Sequence, residues 1–266
     1  PARLALERLL ESSDALTQRE AAEVLEPVFQ AEGDHQRLLK VIEIQAESAD
    51  DQLKKIALLQ KAADIAENVL DSSERTLTYV TRALREGAGH VDLTSWLERL
   101  ERVAQATSRR AEQVALLREI VINIFDGQLQ FDVTLRVAEL SRDHLKDLAL
   151  AREYFEKALE LRPDARAPMQ ALEAIYEESE DVPSLLQILE RRADASPDTI
   201  ERKQLILRRA ELLRDRLKDS EQATEAFERI LELGPDARAA EALEGLYASA
   251  ERFEDLIDLY QRQLDA

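Results

Sequence analysis

One internal repetition restricts this chain more than any other feature. Residues 136–167 and 208–239, set against each other at a spacing of 72, share 21 of 32 positions. The correspondence continues with a one-residue slip, so that Leu172-Glu-Ala-Ile-Tyr176 answers Leu243-Glu-Gly-Leu-Tyr247, and Val182 answers Phe253. A fainter copy stands 147 residues earlier, close to two periods, where Leu25, Leu38, Leu39 and Ala63 match Leu172, Leu185, Leu186 and Ala210. A unit of this kind cannot bury its apolar stripe alone, and stacking copies buries a continuous core, so the repeat predicts a linear array.

The type of array follows from the punctuation. Only 6 Gly and 7 Pro interrupt 266 residues that are rich in the helix formers Ala, Leu, Glu and Arg, so long helices with short connections are expected. Pro163-Asp164 and Pro235-Asp236 each close one helix and open another, while Val182-Pro183 and Ser196-Pro197-Asp198 mark further starts. These signals predict four helices per period, over 164–180, 182–195, 198–217 and 219–233. Each is amphipathic: Ile206, Ala210, Leu213 and Leu217 recur at helical spacing in the third, and Ala223, Phe227, Ile230 and Leu231 in the fourth. Small residues let a neighbouring helix approach, and bulky ones fill the next turn.

The spacing Ala151, Phe155, Ala158, Pro163 resembles the second helix of the tetratricopeptide repeat, and Ala223, Phe227, Ile230, Pro235 repeat it with one substitution. The first helix fits less closely. Ala210 and Leu213 take the small and aromatic positions, but the family's Trp and Gly are missing, and one extra residue lengthens the loop before Ala223. HAT repeats, a related type found in RNA-processing scaffolds, call for more aromatic residues than the 5% present here. The resemblance is good over 136–266, fair over 20–90 and poor over 93–135. It implies an all-α, right-handed superhelical solenoid of antiparallel helix pairs, about fourteen helices in all. Three regions are expected within one continuous array: N-terminal repeats over 1–92, an irregular helical segment over 93–135, and C-terminal repeats over 136–266.

Charge and composition narrow the function. A formal charge of −19 repels phosphate backbones, so a direct nucleic-acid partner is not expected, and a basic partner would be attracted. No apolar run approaches the ~20 residues needed to span a bilayer. Without cysteine there can be no disulfide, thiolate metal site or cysteine nucleophile. The chain opens on Pro1 and closes inside an apparent helix, which is expected of a piece of a longer protein; a cytoplasmic location is the separate expectation. The Ala/Leu/Arg/Glu bias is associated with bacterial sources.

Chemistry is hard to find. His35, His90 and His144 have no metal-ligand spacing, no phosphate-binding glycine loop is present, and no serine lies in a nucleophile elbow. Glu177-Glu178, Glu180-Asp181 and Asp50-Asp51 are adjacent carboxylates of similar environment, unlike an acid–base pair. Arg109-Arg110, Arg191-Arg192 and Arg208-Arg209 are expected to be solvated or paired with glutamates one turn away. No enzyme activity, cofactor or metal is expected.

Two features remain. The motif A-E-L-x-R-D occurs at Ala138–Asp143 and Ala210–Asp215. The family resemblance places Glu139, Arg142, Asp143, Glu211, Arg214 and Asp215 on the concave, peptide-binding side; the alternative is an intrahelical Glu–Arg pair. The Lys/Asn arrangement that clamps a C-terminal carboxylate in some family members is absent. The stretch around Trp96 and Ile120-Val-Ile-Asn-Ile-Phe125 is β-branched and odd for a helix. It is read as buried, with an exposed apolar stripe for a partner as the alternative.

The expected function is a non-enzymatic scaffold or adaptor for a partner protein or peptide. By resemblance it would be a docking platform in a bacterial secretion, pilus, motility or polarity system. A self-assembling spacer and an RNA-processing scaffold are the rivals, and the sequence leaves the oligomeric state open.

Overall fold

The computed structural model describes residues 2–87 and 93–265. They form fifteen α-helices, and no strand occurs among the described residues. The chain divides into two compact units, Pro1–Asp147 and Leu148–Ala266.

The first unit contains α1 (Ala2–Leu9), α2 (Ala15–Glu32), α3 (His35–Glu47), α4 (Gln52–Asn68), α5 (Ser73–Gly87), α6 (Leu93–Ala106), α7 (Arg110–Ile120) and α8 (Gly127–Leu140). The second contains α9 (Leu148–Leu161), α10 (Arg166–Glu178), α11 (Val182–Ala195), α12 (Thr199–Leu212), α13 (Ser220–Glu232), α14 (Ala237–Ser249) and α15 (Phe253–Asp265). Within each unit the packing is mainly between helices adjacent in sequence, as short connections dictate. Aspartate is the recurrent start signal. Asp14, Asp34, Asp51, Asp126, Asp181, Asp198, Asp219 and Asp236 each accept a backbone N–H from the first turn that follows. Each such cap is worth roughly 1 kcal/mol. Gly33 closes α2 in the left-handed region at φ 70°, where a side chain would be strained.

The core is the alternation of small and large residues that the repeat predicts. Phe29, Phe155 and Phe227 are almost wholly buried, and so are Ala151 and Ala158 one turn either side of Phe155, Ala223 one turn before Phe227, and Ala210 of α12. Among the described residues, nine ion pairs join residues 35 apart, including Lys61–Glu26, Arg99–Asp64, Arg136–Glu101 and Arg229–Asp194. This separation is one helix pair. The 72-residue sequence period is therefore two stacked pairs, and equivalent positions of consecutive pairs lie within reach of each other.

One expectation needs correction. The helix expected over 198–217 is α-helical only to Leu212 and ends in a π-helical turn, Leu213–Leu217. The same turn follows α8 at Ser141–Leu145. The extra residue noticed before Ala223 is its cause: it is absorbed as a wider i→i+5 turn. Lys146 and Lys218, both at φ 57°, then reverse the chain, and the N–H groups of Asp147 and Asp219 return to Ser141 O and Leu213 O at 3.0 Å. Residues 93–135 hold α6, α7 and most of α8, with a short 3₁₀ turn at Val121–Asn123 and a loop to Asp126 between the last two. Trp96, Ile120, Val121 and Ile124 are buried, whereas Ile122 and Phe125 are 76% and 89% exposed. No helix among the described residues is long and apolar enough to cross a membrane.

Candidate partner-binding cleft

Both copies of A-E-L-x-R-D end on a π-helical turn, which alters what the motif can do. In each, an arginine chelates the aspartate that follows it. Arg142 donates from Nε and Nη2 to the two Asp143 oxygens at 2.7 and 3.1 Å, and Arg214 to Asp215 at 2.8 and 3.0 Å. The hydrogen bond to its aspartate is the main cause raising each arginine pKa, and the same bond lowers each aspartate. Each pair is a fixed, locally neutral fork on the surface. In the second fork, neither bond uses Nη1 of Arg214.

The motif's glutamates turn elsewhere. Glu139 accepts from Arg136 at 3.3 Å, and Glu211 from Arg238, at the start of α14, at 2.6 Å. In the first copy the glutamate thus pairs with an arginine one turn back on its own helix, and in the second with an arginine of another helix.

In the second unit, Glu211 and Arg214 line one side of a cleft of ≈ 580 Å³. Phe227 of α13 is its floor, and Arg238, Glu241, Leu246 and Ser249 of α14 contribute the other side. The Arg214 guanidinium lies over the Phe227 ring, 5.8 Å from its centroid. A cation held over an aromatic face by an adjacent carboxylate is pre-ordered, so little side-chain entropy remains to be lost on binding. Asp215 does not line the cleft but holds the arginine that does. The α14 side was missed from the sequence because Arg238, Glu241, Leu246 and Ser249 meet the end of α12 only through packing between helices, which the linear repeat does not show.

The remaining candidates are structural. His35 opens α3 and His144 is exposed on a π-helical turn; His90 lies outside the described residues. Among the described residues no group of three or more acidic or histidine side chains is placed to hold a metal ion. Asp51 and Asp181 are the N-caps of α4 and α11. Of the paired arginines, Arg109 meets Glu112 one turn on at 3.0 Å, while Arg110 reaches Glu101 at 2.6 Å and Arg209 reaches Glu190 at 3.0 Å, both on other helices. Arg192 and Arg208 both pair with the buried Glu173, and Arg208 also meets Glu177.

Comparison with known proteins agrees with the repeat. The sequence profile of the tetratricopeptide repeat matches residues 140–165. That segment contains the first π-helical turn and the whole of α9. A search of curated protein sequences finds no match. Solved structures similar to this chain include a structure of Naa15/Naa10 bound to HypK-THB, at 15% identity and a TM-score of 0.48, over 93% of this chain and 37% of that one. This chain thus spans little more than a third of it. PilF of Pseudomonas aeruginosa is similar at 16% identity and a TM-score of 0.38, over 87% of this chain and 97% of PilF. YrrB, described as a tetratricopeptide-repeat protein with an unusual peptide-binding site, is similar at 14% identity and a TM-score of 0.38, over 71% and 90% of the two chains.

Proposed function

We propose that this chain, a tetratricopeptide-repeat protein, is a non-catalytic scaffold that holds a segment of a partner protein in the cleft between the end of α12, α13 and α14. One observation carries the reading. The cleft combines a buried aromatic floor, a pre-ordered Arg214–Asp215 fork and the Glu211–Arg238 pair across its mouth. A peptide can lay an apolar side chain toward Phe227 and Leu246 and exchange its own charges with those groups, which is how a peptide groove obtains both affinity and direction. The Arg142–Asp143 fork on the first unit is a second contact of the same chemistry, together with Glu139.

The net charge of −19 supports a partner segment that is basic overall, steered toward the array at low ionic strength. A docking platform in the cytoplasm of a bacterium, within a secretion, pilus, motility or polarity system, is the finer form of this proposal.

The test is an affinity pull-down from the native source with the wild-type chain and with Arg142→Glu/Arg214→Glu as baits. The reading expects a specific protein retained by the wild type and lost from the double variant. Recovery of the same proteins by both baits would remove these forks from the binding surface, and recovery of the chain alone would favour a self-assembling spacer.

A further inference from the structure

The α14 side of the cleft above Phe227 contains a glycine that the fold itself does not call for. Gly245 lies inside α14 and lines the cleft. Its backbone is not in the left-handed region, so no turn requires it. A methyl group built on it would meet nothing within 4 Å, so no neighbouring helix requires it either. Glycine weakens a helix interior relative to alanine, and the equivalent position one period earlier is Ala174, in Leu172-Glu-Ala-Ile-Tyr176 against Leu243-Glu-Gly-Leu-Tyr247. A glycine kept at a cost on the wall of a cleft leaves room for a ligand that comes close to the helix. Ala242 and Ser249, three residues before and four after, share its face and extend the flat wall.

On the other side stands a guanidinium whose plane is fixed. Asp215 holds Nε and Nη2 of Arg214, and the group lies over the Phe227 ring. The Arg214 side chain is 37% exposed and lines the cleft, so part of the guanidinium remains open to an occupant, and Nη1 is left over by the fork. A planar, delocalised cation binds carboxylates and stacks on aromatic rings. Here the carboxylate is already supplied by Asp215, and Arg238 is likewise paired with Glu211. An acidic side chain would therefore gain little, and an aliphatic one would fill space without using the cation. An aromatic ring uses both the cation and the flat wall.

We propose that the residue recognised in this cleft is aromatic: a phenylalanine, tyrosine or tryptophan of the partner segment stacks on the open part of the Arg214 guanidinium, against the flat wall at Gly245, while Nη1 donates to a main-chain carbonyl of the same segment. This rests on the cleft being the partner site and adds the class of side chain that enters it. An aromatic anchor set against a pre-ordered arginine is the kind of contact that carries most of the energy of a small interface.

The probe is a phage-displayed library of random linear peptides, selected on the intact 266-residue chain. The enriched peptide is then made with a fluorescent label and titrated by anisotropy. Enriched sequences should share one aromatic position, and leucine at that position should weaken binding about tenfold. Arg214→Lys, which keeps the charge but loses the plane, should do the same. The two changes together should weaken binding little more than either alone, because both remove one contact. Gly245→Leu should abolish binding while keeping the circular-dichroism spectrum, since its site is open. Gly245→Ala should raise the melting temperature of the chain and yet weaken the peptide. Peptides that respond to Gly245→Leu but share no aromatic residue, or losses that simply add, overturn the proposal and leave the partner-binding reading of the cleft standing. No enriched peptide, or binding indifferent to Gly245→Leu, overturns both.

Discussion

Arg136 and Glu101 are 35 residues apart in sequence and 2.6 Å apart in space. Arg110 at 2.6 Å and Gln113 at 2.6 Å complete the shell around the same carboxylate. Partial burial works against the charged form of Glu101, but hydrogen bonds from Arg136, Gln113 and Arg110 outweigh it and hold the pKa at about 2, below the ordinary 4.5. A depressed folded-state pKa stabilises the fold above the unfolded value, and that contribution is lost as pH falls from about 4.5 toward 2. Glu101→Gln should lower stability at pH 7 by about 1–2 kcal/mol, the figure being reduced for solvent screening of a partly exposed group. Urea denaturation from pH 7 to pH 3 should show the gap between variant and wild type constant above pH 4.5 and narrowing below it.

Phe227 is 1% exposed and supports both the core of the second unit and the floor of the cleft. Phe227→Ala should cost roughly 3–5 kcal/mol, the loss usual for a large aromatic removed from a packed core. A denaturation midpoint equivalent to less than 1 kcal/mol would contradict the phase assigned to α13.

Lys218 sits at φ 57°, a conformation that costs a residue with a Cβ but not glycine. Lys218→Gly should therefore raise stability by about 0.5–1 kcal/mol, and Lys146→Gly by a similar amount. Thermal melts of the two single variants check this. A drop in melting temperature for both would mean that the left-handed lysines are held by contacts worth more than their strain.

Much of the fold was legible because its determinants are local. Asp181 and Pro183 fixed the start of α11, and that helix spans Val182–Ala195 as the sequence predicts. The 72-residue identity could be read as two stacked pairs because Pro and Asp mark the starts at half-period. The π-helical turns were not legible, since Leu-Arg-Asp-Arg-Leu is ordinary α-helical composition and only an unplaced extra residue hinted at the wider turn. Nor was the partner choice of Glu139 and Glu211, because Arg238 reaches its acceptor from 27 residues away. Side-chain choice among many nearby charges depends on packing that the linear pattern does not carry. The chain also divides into compact units after Asp147, where composition does not change.

The central claim is that the partner occupies the cleft above Phe227. A photo-crosslinking residue placed at Leu246, in the wall of the cleft, tests it directly, with Ile200 as the control because its side chain is 69% exposed and lies outside the cleft lining. Irradiation in the native extract should give one specific crosslinked product from position 246 and none from position 200. A product from position 200 with none from position 246, or none from either, would contradict the account.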